Sequence, residues 1–144
     1  MAIWQFRCNI IPNRTNVDEL SLDELLSWEG VHHPSNQITF LERAKTWTSD
    51  IIQYGKSDET CIEFVYEGSL LKEIECRLDL RNFTKSMLAE LLEYIKKNNA
   101  VLWVNGKIYS PELKGIVEVM KHSEANLFCK NPKEYILKKD VTLE

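Results

Sequence analysis

Two short stretches of the sequence carry residue types used in catalysis or metal binding. His32 and His33 are adjacent in GVHHPSN, and neutral imidazole is a common Zn²⁺ ligand, but no third ligand stands at a metal-site spacing. In HSEANLFC, His122 could act as the base for Ser123 or Cys129. However, His122 also stands at a predicted helix end, where an imidazolium suits the helix dipole. We therefore predict no catalytic residue and no metal site.

A third stretch, EIECRLDLR at residues 73–81, places a carboxylate between two cations at alternate positions. Arg77, Asp79 and Arg81 share one face of a predicted strand, opposite the apolar residues. Three interpretations stand side by side. In the first, this face is exposed to solvent, Asp79 pairs with the arginines and Glu63 pairs with Arg77. In the second, Asp79 or Arg81 caps the backbone where the strand becomes a helix. In the third, a partner protein covers the face, since Arg often anchors protein interfaces.

Most motifs of catalysis are missing from the sequence. It contains no Walker loop, no GxSxG, no HExxH and no GxGxxG, and its five glycines are dispersed. A loop that cradles phosphate is therefore not expected. We predict a protein that is not an enzyme and uses no cofactor.

Composition and charge indicate one folded domain that does not bind nucleic acid. The 144 residues are 44% hydrophobic, the formal net charge is −4, and a nucleic-acid-binding surface is usually basic. Residues 1–72 carry 6 Lys or Arg against 11 Asp or Glu, and residues 73–144 carry 12 against 11. We predict a single globular domain over residues 1–144 with an acidic N-terminal half.

An acidic run lies between Asp18 and Glu29, where no Lys or Arg occurs. Asp18, Glu19, Asp23 and Glu24 are candidate partner contacts, because complementary charge speeds the capture of a basic protein. Asp23 and Glu24 also fall in the first turn of a predicted helix, where a carboxylate favours the helix dipole and needs no partner.

Cysteine usage and hydropathy predict a cytoplasmic protein that does not enter the membrane. The four cysteines are far apart with no CxxC, which favours buried thiols over disulfides. The N-terminus does not have the pattern of a signal peptide, and no run of about 18 apolar residues occurs.

Hydrophobic periodicity predicts a strand, a short helix and a three-stranded meander in the first 80 residues. Trp4, Phe6, Cys8 and Ile10 alternate with polar residues in the first strand, which Pro12 ends. Ser21 and Glu24 form a capping box for a helix over residues 22–28 that stops at Gly30. Residues 31–46 are irregular, with a helical turn at FLERA. The meander covers about residues 47–80.

Residue pairing in the last hairpin of the meander follows from a turn centred near Leu70. This centre places Ile62 opposite Leu78, Phe64 opposite Cys76, Tyr66 opposite Ile74 and, on the other face, Glu63 opposite Arg77. Cys61 and Cys76 then lie on opposite faces, which excludes a shared disulfide or zinc ion.

After Arg81 the period changes to that of a helix. We predict helices at about 84–97, capped by Thr84, at about 111–121, beginning with Ser110 and Pro111, and at about 132–138. Asn-Gly in AVLWVNGKIY predicts a hairpin, and ANLFC is a strand or a packed turn. The predicted class is α+β, with helices packed against a mainly antiparallel sheet.

Three strings carry a resemblance that covers roughly residues 47–137: IIQYGKSDETCIEFVYE, KEIECRLDLRNF and HSEANLFCKNPKEYI. They resemble a group of small bacterial single-domain proteins. The size, single-domain form and lack of catalytic motifs of that group resemble the immunity proteins of bacterial polymorphic toxin systems. The resemblance implies a non-enzymatic protein that binds and neutralises a cognate toxin.

Two other functions stay open. One is a small-ligand module or enzyme with a pocket between sheet and helices, with the arginine and aspartate triplet or the histidine pair at its mouth. The other is an assembly subunit whose sheet edge pairs with itself. The candidate partner-binding residues are Asp18, Glu19, Asp23, Glu24, Arg77, Asp79 and Arg81.

Overall fold

Seven antiparallel strands form a single sheet in the computed structural model, which describes residues 2–130. The strands are β1 Gln5–Pro12, β2 Arg43–Ala44, β3 Ile51–Tyr54, β4 Cys61–Glu67, β5 Leu70–Asp79, β6 Ala100–Val104 and β7 Lys107–Tyr109. Their order across the sheet is β2-β3-β4-β5-β1-β6-β7. The helices are α1 Leu22–Leu26, α2 Lys85–Lys97, α3 Leu113–Lys121 and α4 Glu124–Lys130, with one 3-10 turn at Val17–Glu19. The predicted α+β class is confirmed, and the helix predicted at 132–138 lies outside the described residues.

The core lies between one face of the sheet and the helices. Alternate residues of the central strands are buried on that face: Phe6, Cys8, Ile10, Ile62, Phe64, Ile74, Cys76, Leu78, Leu102 and Val104. Helix α2 contributes Leu88, Leu91, Leu92 and Ile95, and α3 contributes Ile116. The spacing of three and four residues puts the α2 side chains on one stripe, as its sequence predicts.

The β4–β5 hairpin has a different register from the predicted one. Ile62 lies opposite Cys76, Phe64 opposite Ile74, Glu63 opposite Glu75 and Tyr66 opposite Leu71. The turn is tighter than predicted, with Glu67 opposite Leu70, and a bulge between Val65 and Tyr66 takes up one residue. From Cys61 to Val65 the pairing therefore shifts by two residues, so these residues and their partners keep their predicted faces. Beyond the bulge the shift is three residues, since Tyr66 lies opposite Leu71 instead of Ile74.

Two predicted helix boundaries and one predicted element differ in the structure. Helix α1 ends at Leu26, because Trp28 turns inward, where its backbone N–H donates to Leu71 O and its indole N–H to Ile10 O. Helix α3 begins at Leu113, beyond Pro111. ANLFC is helical in α4, because the Ser123 hydroxyl accepts a hydrogen bond from the backbone N–H of Asn126 and starts a new helix.

The connection between α1 and β3 contains strand β2 and no helical turn at FLERA. Its backbone is held by tyrosine hydroxyls: Tyr54 donates to Asn36 O, and Tyr94 donates to Ser35 O. Ile38 from this connection is buried in the core. Side-chain hydrogen bonds and one apolar anchor thus replace regular secondary structure there.

Candidate functional site

Asp79 is buried at the point where β5 ends, although its position in the sequence also suggested a solvated face. Its carboxylate accepts hydrogen bonds from the backbone N–H, Nε and Nη2 of Arg81, at 3.0, 2.9 and 2.8 Å. Its carbonyl accepts from the N–H groups of Asn82 and Phe83. With 1% of its surface exposed, Asp79 stabilises the turn from β5 toward α2, which agrees with the capping interpretation.

The same junction holds the loop between β3 and β4. The Thr60 hydroxyl accepts from the backbone N–H of Asp79, and the Gln5 amide donates to two carbonyls of this loop, Ser57 O and Glu59 O. The indole ring of Trp4 stacks under the Arg81 guanidinium, 3.8 Å from its centroid. Trp4 was predicted as a core residue of the first strand; it precedes β1 and serves this junction instead.

Beside Asp79, the polar face of the sheet carries a row of charges that neutralise one another. We call Arg7, Glu63, Glu75 and Arg77 the charged face. Arg7 Nη2 lies 2.5 Å from Glu75 Oε1, Arg77 Nη1 lies 3.5 Å from the same atom, and Arg77 Nη2 binds Glu63. The predicted Arg77–Glu63 pair is present as a diagonal pair, since Arg77 itself lies opposite Cys61.

The guanidinium of Arg77 is largely buried and paired in these contacts. Its side chain is 14% exposed, and Nη2 also lies 3.2 Å from Cys61 Sγ. Burial alone would lower the pKa of Arg77, but Cys61 and Glu63 raise it. Among the described residues, its Nε is the buried side-chain nitrogen without a hydrogen-bond partner. The charged face therefore shows little unpaired charge to a partner.

The acidic segment, residues 17–26, differs from the charged face because its carboxylates are exposed and free of ion pairs in the described part of the chain. Asp18, Glu19, Asp23 and Glu24 are all exposed, neither the 3-10 turn nor α1 contains a buried residue, and Leu22 is 53% exposed. In residues 2–130, no ion pair involves any of the four carboxylates. Only Glu24 has a local role, closing the predicted capping box with Ser21, whose hydrogen bonds lower the pKa of Glu24.

Arg14 fixes the acidic segment from its C-terminal side. Its guanidinium donates to Glu24 O at 3.3 Å, Leu25 O at 3.2 Å and Ser27 O at 2.6 Å, the carbonyls at and just beyond the end of α1. A cation at this end also complements the helix dipole. The acidic segment is thus pre-ordered by its backbone while its side chains stay in solvent.

Trp47 is a surface residue that the sequence did not single out. It is 92% exposed in the loop between β2 and β3. The loop is held by Thr46, whose hydroxyl lies 2.5 Å from Thr48 O and 3.0 Å from Ile51 O, and by Thr48, whose hydroxyl accepts from the N–H of Asp50. The signal that could have located it is a tryptophan within a threonine-rich turn, TWTSD.

The histidine pair and the Cys129 region contain the residue types of the two candidate catalytic or metal sites. His33 lies 2.6 Å from Pro34 O through Nδ1 and 3.0 Å from the Tyr66 hydroxyl through Nε2, so both ring nitrogens have partners. Partial burial raises the pKa of Cys129, which disfavours the nucleophilic thiolate. No group of three or more His, Cys, Asp or Glu in the described part of the chain is placed to hold a metal ion.

Comparison with protein-family models, with curated proteins and with solved structures gave no match. Among residues 2–130, no helix is long and apolar enough to cross a bilayer.

Proposed function

We propose that this chain is a non-enzymatic binding protein whose acidic segment docks on a basic surface of another protein. The observation that carries the proposal is the exposure of Leu22 among four carboxylates on a backbone that Arg14 holds in place. A pre-ordered contact loses less conformational entropy on binding. An apolar side chain surrounded by charge resembles the centre and rim of a protein interface.

Trp47 is a second exposed residue suited to partner binding. Tryptophan is enriched among the residues that dominate binding energy, and a loop held by its own hydrogen bonds presents the ring in a fixed place. Burying this indole against a partner would remove a large apolar surface from water.

The specific function we propose is that of an immunity protein, which neutralises a cognate bacterial toxin by covering its active surface. The support is the resemblance in the RLDLR and SEANLFCKNP strings and the acidic N-terminal half. A toxin that acts on nucleic acid has a basic substrate surface, and the acidic segment is complementary to it.

Co-expression with the product of the neighbouring gene tests the proposal. We expect a complex that survives purification and cells that survive expression of the partner only when this chain is present. The variant Asp18→Lys with Glu19→Lys and Asp23→Lys should lose both effects and keep its fold, because all three side chains are exposed and form no ion pair within residues 2–130.

The matched control is Glu67→Lys with Glu90→Lys and Glu93→Lys, at three exposed residues outside the acidic segment. This variant also makes the net charge more positive but should keep binding and protection. Failure to form a complex with any neighbouring product, together with no protection of cells, would contradict the proposal.

A further inference from the structure

Helices α2 and α3 enclose an apolar groove that lies away from the acidic segment in the sequence and shares no residue with it. Its volume is about 730 Å³. The apolar lining comes from Leu80, Phe83, Leu88, Leu113, Val117 and Met120. Leu113 is 38% exposed and Leu88 is buried, so the groove leads from solvent down to the core. A cavity of this size and lining is in the range that binds small molecules.

The rim of this groove is positive. It carries Lys85, Lys114 and Lys121 against one carboxylate, Glu118. Glu118 is shared between Lys121, 3.7 Å away, and His122, 3.6 Å away. Lys85 and Lys114 form no ion pair with any residue in 2–130. An anionic group at the rim would therefore meet two ammonium groups that pair with no carboxylate of residues 2–130.

The N-terminal end of α2 adds to this positive potential. Lys85 begins α2 and Lys114 lies in the first turn of α3, and neither first turn contains an acidic residue. The backbone N–H groups of a helix N-terminus carry partial positive charge. The N-terminal end of α2 thus lies at the groove, whereas α3 lines the groove from Leu113 to Lys121 and has Glu112 at its N-cap.

We propose that the groove binds a small amphiphile with an apolar chain and a carboxylate head, of the chemical class of medium-chain fatty acids. The chain would lie on Leu80, Leu88 and Val117, and the carboxylate would pair with Lys85 and Lys114. A cationic or neutral polar head group would form no ion pair with these lysines. The groove is separate from the proposed protein-binding surface, so binding of the fatty acid and binding of the partner protein are tested independently.

Titration of the full-length chain with sodium decanoate, followed by NMR of backbone amides and methyl groups, tests the inference. We expect shifts at Leu88, Leu113, Val117 and Met120. Decanoate should bind up to about tenfold more tightly than decyltrimethylammonium and than decanol, since two exposed ion pairs together contribute at most about that factor.

The variant Lys85→Glu with Lys114→Glu should weaken decanoate binding by about tenfold or more and remove the preference over the cation. The control Lys45→Glu with Lys56→Glu, at exposed lysines elsewhere, should bind as the wild type does. The inference would be overturned by equal affinity for the anion and the cation, or by the absence of shifts in α2 and α3. It would also be overturned by a dimer that forms without ligand in light scattering and whose formation shifts the groove residues in NMR.

Discussion

Arg81 holds the Asp79 carboxylate with two parallel hydrogen bonds, Nε to Oδ1 at 2.9 Å and Nη2 to Oδ2 at 2.8 Å, and with its own backbone N–H at 3.0 Å. The carboxylate is 1% exposed and the arginine side chain 41% exposed. The pair therefore lies at the boundary between core and solvent. It fixes the exit from β5, and the Asp79 backbone connects this exit to the loop that ends at Thr60.

Replacing Asp79 should destabilise the fold. Asp79→Ala removes three hydrogen bonds from a charged acceptor and releases the turn after β5, so we expect a loss of about 2–3 kcal/mol in the free energy of unfolding by urea. Asp18→Ala, at an exposed carboxylate, should change it by less than about 0.5 kcal/mol. An unchanged stability of Asp79→Ala together with lost partner binding would make Asp79 part of the binding site instead.

Gly55 should not tolerate a side chain. Its φ is +80°, and a Cβ atom there would lie 2.0 Å from the backbone oxygen of Thr60. Gly55→Ala combines left-handed backbone strain with a clash against backbone, so we expect a loss of more than about 3 kcal/mol. Gly68 is the control, since its φ is +62° with open space around it, and Gly68→Ala should cost about 1 kcal/mol. Equal melting temperatures for the two variants would contradict this account.

Glu73 should make stability depend on pH. Burial, and then the charge of Glu75, raise the pKa of Glu73 above its ordinary 4.5, so the folded state favours the protonated form. Ionised Glu73 therefore destabilises the fold at pH above the raised pKa, and this penalty disappears as the pH falls below the unfolded-state value. Glu73→Gln should melt higher than wild type at pH 7 and equally at pH 4.

The control for Glu73 is Glu67→Gln, at an exposed residue of the same hairpin whose contact with Lys72 is long, at 3.7 Å. It should leave the melting temperature unchanged at both values of pH. A Glu73→Gln variant that is less stable than wild type at pH 7 would show that the carboxylate contributes favourably to the fold.

The cysteines should differ in reactivity by position. Cys61 is fully buried, and burial raises its pKa to about 11; Cys8 and Cys76 are buried opposite each other on β1 and β5. At pH 8 we expect Ellman's reagent to modify only Cys129 in the folded chain, and slowly, and all four cysteines in guanidinium chloride. Rapid modification of a second thiol under native conditions would indicate an open state of the sheet.

The sequence predicted much of this fold because periodicity, caps and turn residues act locally. Thr84 caps α2, Asn105-Gly106 forms the turn of β6 and β7 with both φ values positive, and the Ser21 capping box forms as expected. The β4–β5 register was wrong because a bulge depends on the packing of both strands rather than on the turn sequence. The end of α1 was misplaced because tertiary contacts, those of Trp28 with Leu71 and Ile10, override local propensity.

The candidate site was predictable only in part. The exposure of Asp18, Glu19 and Asp23 agrees with their charge, whereas the burial of Asp79 depends on its contacts with the junction formed by Arg81 and Thr60. Alternation along a strand assigns a face but does not indicate what covers that face. Trp47 is exposed although an aromatic residue beside a strand is normally predicted as buried.

The affinity of the purified chain for its neighbouring gene product, measured by calorimetry at low and high salt, tests the central claim most directly. We predict binding by the wild type that weakens with salt, and a loss of about 100-fold or more in the Asp18→Lys, Glu19→Lys, Asp23→Lys variant at low salt. Equal affinity of the two proteins for that partner would contradict the assignment of the acidic segment as the binding surface.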